Sequence, residues 1–299
     1  MDSKDNRTTS ALLATAAFAS IYGFSFMASR IALQNTDASV LLIIRFAVST
    51  LLMLILIALG FFKVSLKGKP IGRFLMMGLC QPVIYFIGET LGIQYTNSSF
   101  AGIMISLIPV ATAIMSAIFL NEKIRPRTIG WIICSIIGVF IISTAQTSSG
   151  AIQTRGILYL LLAVVSASAF YIFSRSVAEY FTPFERTFIM IVMGFICFTI
   201  QGVVLEGHNL IPLVAKGFTD PGVMLPVAYL SVLSSVIAFL LQNYAVTYLD
   251  LTKITIFENI IPVISVFAGV IFLKEPFSVI QLPGVALILL GVWKVTTDH

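Results

Sequence analysis

Apolar residues run along this chain in long stretches broken by short polar links. The pattern has neither the strict alternation of a half-buried strand nor the single apolar stripe of a surface helix. A helix needs about 20 mostly apolar residues to cross a hydrocarbon core. Ten runs of that kind are present, near 10–30, 39–62, 72–95, 98–120, 127–145, 155–176, 184–205, 224–248, 252–273 and 278–296. The pattern predicts an all-α integral membrane protein of ten transmembrane helices. The links are short except for 206–222 (EGHNLIPLVAKGFTDPG), long enough to carry structure of its own. The first apolar run continues to about Met27, past any small-residue cleavage site, and is expected to be an uncleaved first helix.

Composition sharpens this. Of 299 residues, 58% are hydrophobic and 10% charged, with a mean hydropathy of +1.02. Soluble domains carry about 25% charged residues, so this chain cannot cover a water-facing surface. The net charge of +5 is spread over short loops and forms no continuous patch, which argues against nucleic acid and for topology signals. With the N-terminus in the cytoplasm, thirteen Lys and Arg fall on inner segments and four on outer ends. That imbalance places both termini inside a plasma (inner) membrane. Cys80, Cys134 and Cys197 lie in apolar runs, and His208 and His299 are far from them. Neither a disulfide framework, a metal site nor a cofactor is expected. The sequence contains no HExxH, GxSxG or Walker A pattern, so it is not read as an enzyme.

The two halves repeat. At a shift of 153 residues, Val83-Ile84-x-Phe86 falls on Val236-Ile237-x-Phe239 and Tyr95 on Tyr248. Ile108-Pro109-Val110 falls on Ile261-Pro262-Val263, Ile118-Phe119-Leu120-x-Glu122 on Ile271-Phe272-Leu273-x-Glu275, and Gly138 on Gly291. The reading is a first five-helix repeat over 1–150 and a second over 151–299. Five spans per half is odd, so the second half enters the membrane inverted. Each half carries the loop-charge bias its own orientation needs: the basic loop 121–127 is matched by 274–280 with a single Lys. Inverted five-helix repeats are an architecture of secondary transporters, with the substrate site near the midplane between them. Both repeats in one chain make a monomer sufficient.

The stretch "YTNSSFAGIMISLIPVATAIMSAIFLNEKIRPRTIGWIICSIIGVFII" (95–142) and its mate "YLDLTKITIFENIIPVISVFAGVIFLKEPFSVIQLPGVALILLGVWKV" (248–295) resemble the EamA-type module of the drug/metabolite transporter superfamily. The features that carry this are a Tyr, a small or polar stretch, a mid-helix Pro, an apolar run ending in Glu and a Gly-rich last helix. Members often show Trp-Gly in the first helix; here it is Tyr22-Gly23. The resemblance implies a ten-helix transporter of small metabolites, often an exporter of amino acids or related compounds.

Glu89 stands inside a buried-looking run. Gln81, Tyr85 and Glu89 repeat every four positions and share one helical face, and Gly88 and Gly92 beside it allow a close helix approach. Intramembrane charges are costly and usually functional. Arg45 is expected at about the same depth, 9–10 Å from the outer end, as an ion-pair partner or coupling element. The mate of Glu89 is Gln242, followed by Asn243, and the second half has its own carboxylate in Glu258. Tyr22, Tyr85 and Tyr171 are candidate cavity walls, and Ser25 and Ser106 candidate polar contacts, although such serines equally bond their own helix. Pro109 and Pro262 sit in matching places as kinks or gates. The leading expectation is a secondary exporter of small zwitterionic metabolites, amino acids or derivatives. It would work by alternating access in the bilayer, with protons as candidate coupling ions. The alternatives are an exporter of organic cations or drugs, whose ammonium the carboxylates and tyrosines would cage, and an uncoupled facilitator.

Overall fold

The structure, a computed structural model, describes residues 2–65, 67–119, 125–148, 152–249, 254, 257–279 and 281–297. Leu120, Glu122, Lys123, Lys253, His299 and the expected seam between 150 and 151 lie outside the described residues. Everything described is helix or short link. Helix α1 is Asp2–Leu33 and α2 is Ala38–Ala58. Helix α3 has two α-helical parts, Ile71–Gly78 and Tyr85–Tyr95, joined by a wider π turn at Leu79–Ile84. Helix α4 also comes in two pieces, Ser98–Ile105 and Ile108–Phe119. Then follow α5 (Pro126–Ser148), α6 (Thr154–Val177) and α7 (Pro183–Glu206). A 3-10 turn, Gly207–Asn209, leads into the short α8 (Leu210–Thr219), so the long link 206–222 does carry its own structure. Helix α9 runs from Pro221–Ala228 through a π stretch, Tyr229–Ile237, to Ala238–Tyr248. The last two are α10 (Ile260–Phe272) and α11 (Gln281–Thr297). Among the described residues eight helical segments are long and apolar enough to cross a membrane, and two shorter apolar ones, Ile260–Phe272 and Gln281–Val295, accompany them.

Three of the expected unbroken helices are interrupted, and proline chemistry accounts for the first break. Gln81 has φ −139° and ψ 118° inside α3. It precedes Pro82, whose ring disfavours the helical conformation at the residue before it and which brings no N–H. The carbonyl of Cys80 accepts from Tyr85 N–H and also from Ser166 Oγ, the latter at 2.6 Å. The matching stretch of α9 also widens into π geometry, over Tyr229–Ile237. Pro109 and Pro262, expected mid-helix, instead sit in the first turns of helices that restart after a break: at Ser106–Leu107 in α4, and at Asn259 before α10. A missing N–H costs nothing in a first turn, because that group has no intrahelical acceptor there.

Helices of the first half pack against those of the second at small residues. α3 lies on α6, α4 on α10, α5 on α11, and α1 on both α9 and α10. A Cβ at Gly88 would come within 2.6 Å of Tyr159 O and 2.9 Å of Ala163 N; one at Gly138 would come within 2.6 Å of Gly284 O. Backbone thus touches backbone, which is how membrane helices gain contact area without a hydrophobic driving force. The outer surface carries exposed large apolar side chains such as Ile133, Phe140, Val204, Ile211 and Leu225, as lipid contact requires.

Gly88→Ala is expected to wedge α3 off α6 and cost about 1–3 kcal/mol by overpacking. Gly130→Ala, where a Cβ meets nothing within 4 Å, should be neutral or slightly stabilising. Thermal unfolding of the two variants in detergent checks this; equal melting temperatures would contradict the close α3–α6 contact.

Candidate functional site

The helix breaks and the small-residue contacts surround one enclosed cavity of about 30 Å³. Helix α1 supplies Tyr22, Ser25 and Phe26, and α3 supplies Gln81, Tyr85, Phe86 and Glu89. Ile105 and Ile108 flank the break in α4, while Ala167 and Tyr171 come from α6. Ser234 and Gln242 come from α9, Glu258 from just before the Asn259 turn, and Ile261 from α10. The volume holds one or two waters, so the site is shut in this conformation. The Gln81–Tyr85–Glu89 face reaches the cavity together even though the helix breaks at Gln81.

A chain of hydrogen bonds crosses the site. Tyr22 Oη donates to Gln242 Oε1 at 3.0 Å. Gln242 Nε2 donates to Tyr171 Oη at 2.8 Å, and Tyr171 Oη donates to Glu258 Oε1. The single amide of Gln242 gives the chain its direction, since its oxygen only accepts and its nitrogen only donates. Glu258 and Glu89 are buried, 7% and 2% exposed, and Oε2 of each has no hydrogen-bond partner.

The buried arginines are arranged differently. Arg45, 2% exposed, was the expected ion partner of Glu89, but the two do not form an ion pair; the ion pair found among the described residues is Lys69–Glu185, at 2.6 Å. Arg45 Nε donates to Ser235 Oγ at 2.8 Å and Nη2 to Ser234 Oγ at 2.9 Å, and its guanidinium lies 4.3 Å from the Phe86 ring centroid. Hydroxyls and a ring face replace the carboxylate. Arg45 therefore stands one layer behind the cavity wall, whose Ser234 and Phe86 it holds.

Ser106 and Asn243 are not brought to the cavity. Ser106 Oγ bonds its own helix at Ile103 O, 2.6 Å. Asn243 follows Gln242 by one residue and so points about 100° away around the helix; its Nδ2 donates to Thr187 Oγ1 at 3.0 Å. Ser25 lines the cavity, yet its hydroxyl donates to Tyr22 O at 2.7 Å. Residues that sequence reasoning missed are Phe26, Phe86 and Ser234, which line the wall, and Arg186. Arg186 is fully buried, donating to Ser174 Oγ (3.2 Å), Asn243 O (2.5 Å) and Thr247 Oγ1. Its place three residues after Pro183 read as a loop charge, while the burial depends on the ends of α6 and α9 meeting there. Among the described residues no three His, Cys, Asp or Glu gather to hold a metal.

Comparison with known proteins decides the family. The model of the EamA-like transporter family matches residues 9–144 and again 154–297. The chain belongs to this family. It is 28% identical over 291 residues to the uncharacterized transporter YcxC of Bacillus subtilis, covering 96% of this chain and 93% of that one. An uncharacterized transporter of Archaeoglobus fulgidus is 26% identical, with 91% and 93% covered. A chloroplastic WAT1-related protein of Arabidopsis thaliana is 23% identical over 68% of this chain and 49% of its own. A chain of known crystal structure superposes with a TM-score of 0.69 at 17% identity, covering 97% of each, a likeness of fold. This EamA-like chain is thus a multi-pass membrane protein of a transporter family built from two copies of one module.

Tyr171→Phe leaves Glu258 Oε1 and Gln242 Nε2 without their partner and should lower stability by about 1–3 kcal/mol. Gln242→Leu breaks the same chain, so the double variant should cost clearly less than the two single losses together. Additive losses in a thermal double-mutant cycle would contradict a connected chain.

Proposed function

We propose that this protein is a secondary transporter of small organic cations or amines, which it binds between its two halves. The observation that carries the reading is the cavity wall. It presents two buried carboxylates, each with an oxygen lacking a partner, together with Tyr22, Tyr85, Tyr171, Phe26 and Phe86, and no Lys, Arg or His. An ammonium group can supply the missing donors to the carboxylates and lie against aromatic faces. A purely anionic solute would find no positive partner on that wall.

The amino-acid reading stands second, favoured by Arg45. Its guanidinium is separated from the cavity only by Ser234 and Phe86, so a rearranged wall could offer it to a substrate carboxylate. In both readings the ten crossings form two inverted five-helix repeats, over 1–150 and 151–299, that rock about the midplane in alternating access. A cavity of about 30 Å³ is too small for any such solute, so binding requires that the halves part. The helix breaks at Gln81, Ser106–Leu107 and Asn259 are fitting places for that motion, with Pro109 and Pro262 starting the segments beyond two of them. Glu89, whose Oε2 has no partner, is the candidate for proton coupling. Loop charge favours cytoplasmic termini in a plasma (inner) membrane, and a monomer suffices.

The test is thermal stabilisation of the purified protein by a panel of organic cations, amines and amino acids, at acid and at neutral pH. A ligand at 100 times its Kd adds about 2.7 kcal/mol. Stabilisation by cations and amines that changes with pH is expected. Stabilisation by amino acids alone would move the reading to the second. None by either class would overturn both, and stabilisation equal at the two pH values would remove protons from the mechanism.

A further inference from the structure

Outside the cavity, a dense polar cluster joins the two halves at one end of the α4–α10 pair. Helix α4 begins at Ser98, so the N–H groups of its first residues have no acceptor within the helix. The Glu275 carboxylate fills that role from the other half. Its Oε1 accepts from Ser98 N and Ser98 Oγ, both at 2.8 Å, and its Oε2 from Ser99 N at 2.9 Å and Ser99 Oγ at 2.5 Å. Four donors meet one carboxylate at the positive end of a helix dipole. The chain is bent to deliver it: Lys274 lies in the left-handed region at φ 56°, and Glu275 N–H donates to Gly269 O at 3.1 Å.

The neighbouring contacts are equally close. Ser265 Oγ donates to Ser98 O at 2.7 Å. Gly102 packs on Ser265, and Gly269 on Ser98, Ser99 and Glu275, with no room for a Cβ. Two turns further along this antiparallel pair, Ile105 and Ile261 line the cavity. The α4–α10 contact is therefore the wall between the cavity and the membrane face that bears Glu275.

We propose that Glu275, docked across the start of α4, is the latch that keeps this end of the transport path closed. For the path to open at this face the carboxylate must leave four donors, and water or lipid headgroups are there to replace them. A carboxylate suits this task because it accepts from all four at once. A glutamine can accept on one atom only and would turn its own NH₂ toward the Ser99 donors.

The test needs no substrate. Ile105→Cys is placed in a background with Cys80, Cys134 and Cys197 changed to Ala, and its labelling by a membrane-impermeant maleimide is followed from each side of the membrane. Val279→Cys, highly exposed in the wild type, marks the face that bears Glu275. Labelling rate follows the open population, so Glu275→Gln and, separately, Ser98→Ala/Ser99→Ala should each label at least about tenfold faster, from that face only. The serine variant keeps Glu275 and both N–H donors, and so guards against a variant that does not fold. Unchanged labelling in folded variants, or faster labelling from the opposite face, would overturn the latch. Loss of folding in both would overturn it too, since the contact would then be a structural staple.

Discussion

A carboxylate or guanidinium inside a hydrocarbon-solvated bundle must find its compensation within the protein. Arg45, Glu89, Arg186 and Glu258 are all buried here, and none forms an ion pair. The two cations have several acceptors each, although Arg186 Nε has none. Arg45 has two serine hydroxyls and an aromatic face. Arg186 has a hydroxyl from the last turn of α6 and a carbonyl and hydroxyl near the end of α9, where helix dipoles favour positive charge. Of the two acids, Glu258 accepts from Tyr171, and Oε2 of both Glu89 and Glu258 has no partner. The unpartnered acid oxygens face a cavity between the two halves, which is the feature the proposed cationic guest would use.

The backbone serves the same end. A continuous helix satisfies all its own carbonyls and offers a ligand nothing; a broken one frees polar groups where it can be buried in protein. The breaks at Gln81, Ser106–Leu107 and Asn259 border the cavity. Serines of α6 add hydrogen bonds to the backbone beside two of the breaks: Ser166 Oγ donates to Cys80 O and Ser168 Oγ to Ile108 O. Ser25 and Ser106, read from sequence as candidate polar contacts, both bond backbone carbonyls of their own helices.

Much of this was legible in the chain itself. The apolar runs predicted the helices, and the 153-residue shift foresaw the doubled module that the family match then found at 9–144 and 154–297. The four-residue spacing of Gln81, Tyr85 and Glu89 anticipated a shared face, because helical period survives even a local break. Other features depend on geometry that no single helix encodes. Arg45 and Glu89 were expected at one depth, but which partner each meets depends on the rotation of α9, which brings Ser234 and Ser235 to the arginine. Asn243 looked like Gln242's companion, though neighbours in a helix face different ways. Phe26 and Phe86 were lost among 24 phenylalanines, since only packing separates a wall residue from a lipid-facing one.

The central claim is that the two under-bonded carboxylates are the groups a cationic guest completes. Equilibrium binding of a lipophilic cation, tetraphenylphosphonium, to the purified wild type and to Glu89→Gln, Glu258→Gln and the double variant tests it most directly. The account predicts one saturable site in the wild type, weakened at least about tenfold by each substitution, the equivalent of 1.4 kcal/mol, and lost in the double variant. Unaltered affinity in a folded double variant would contradict it.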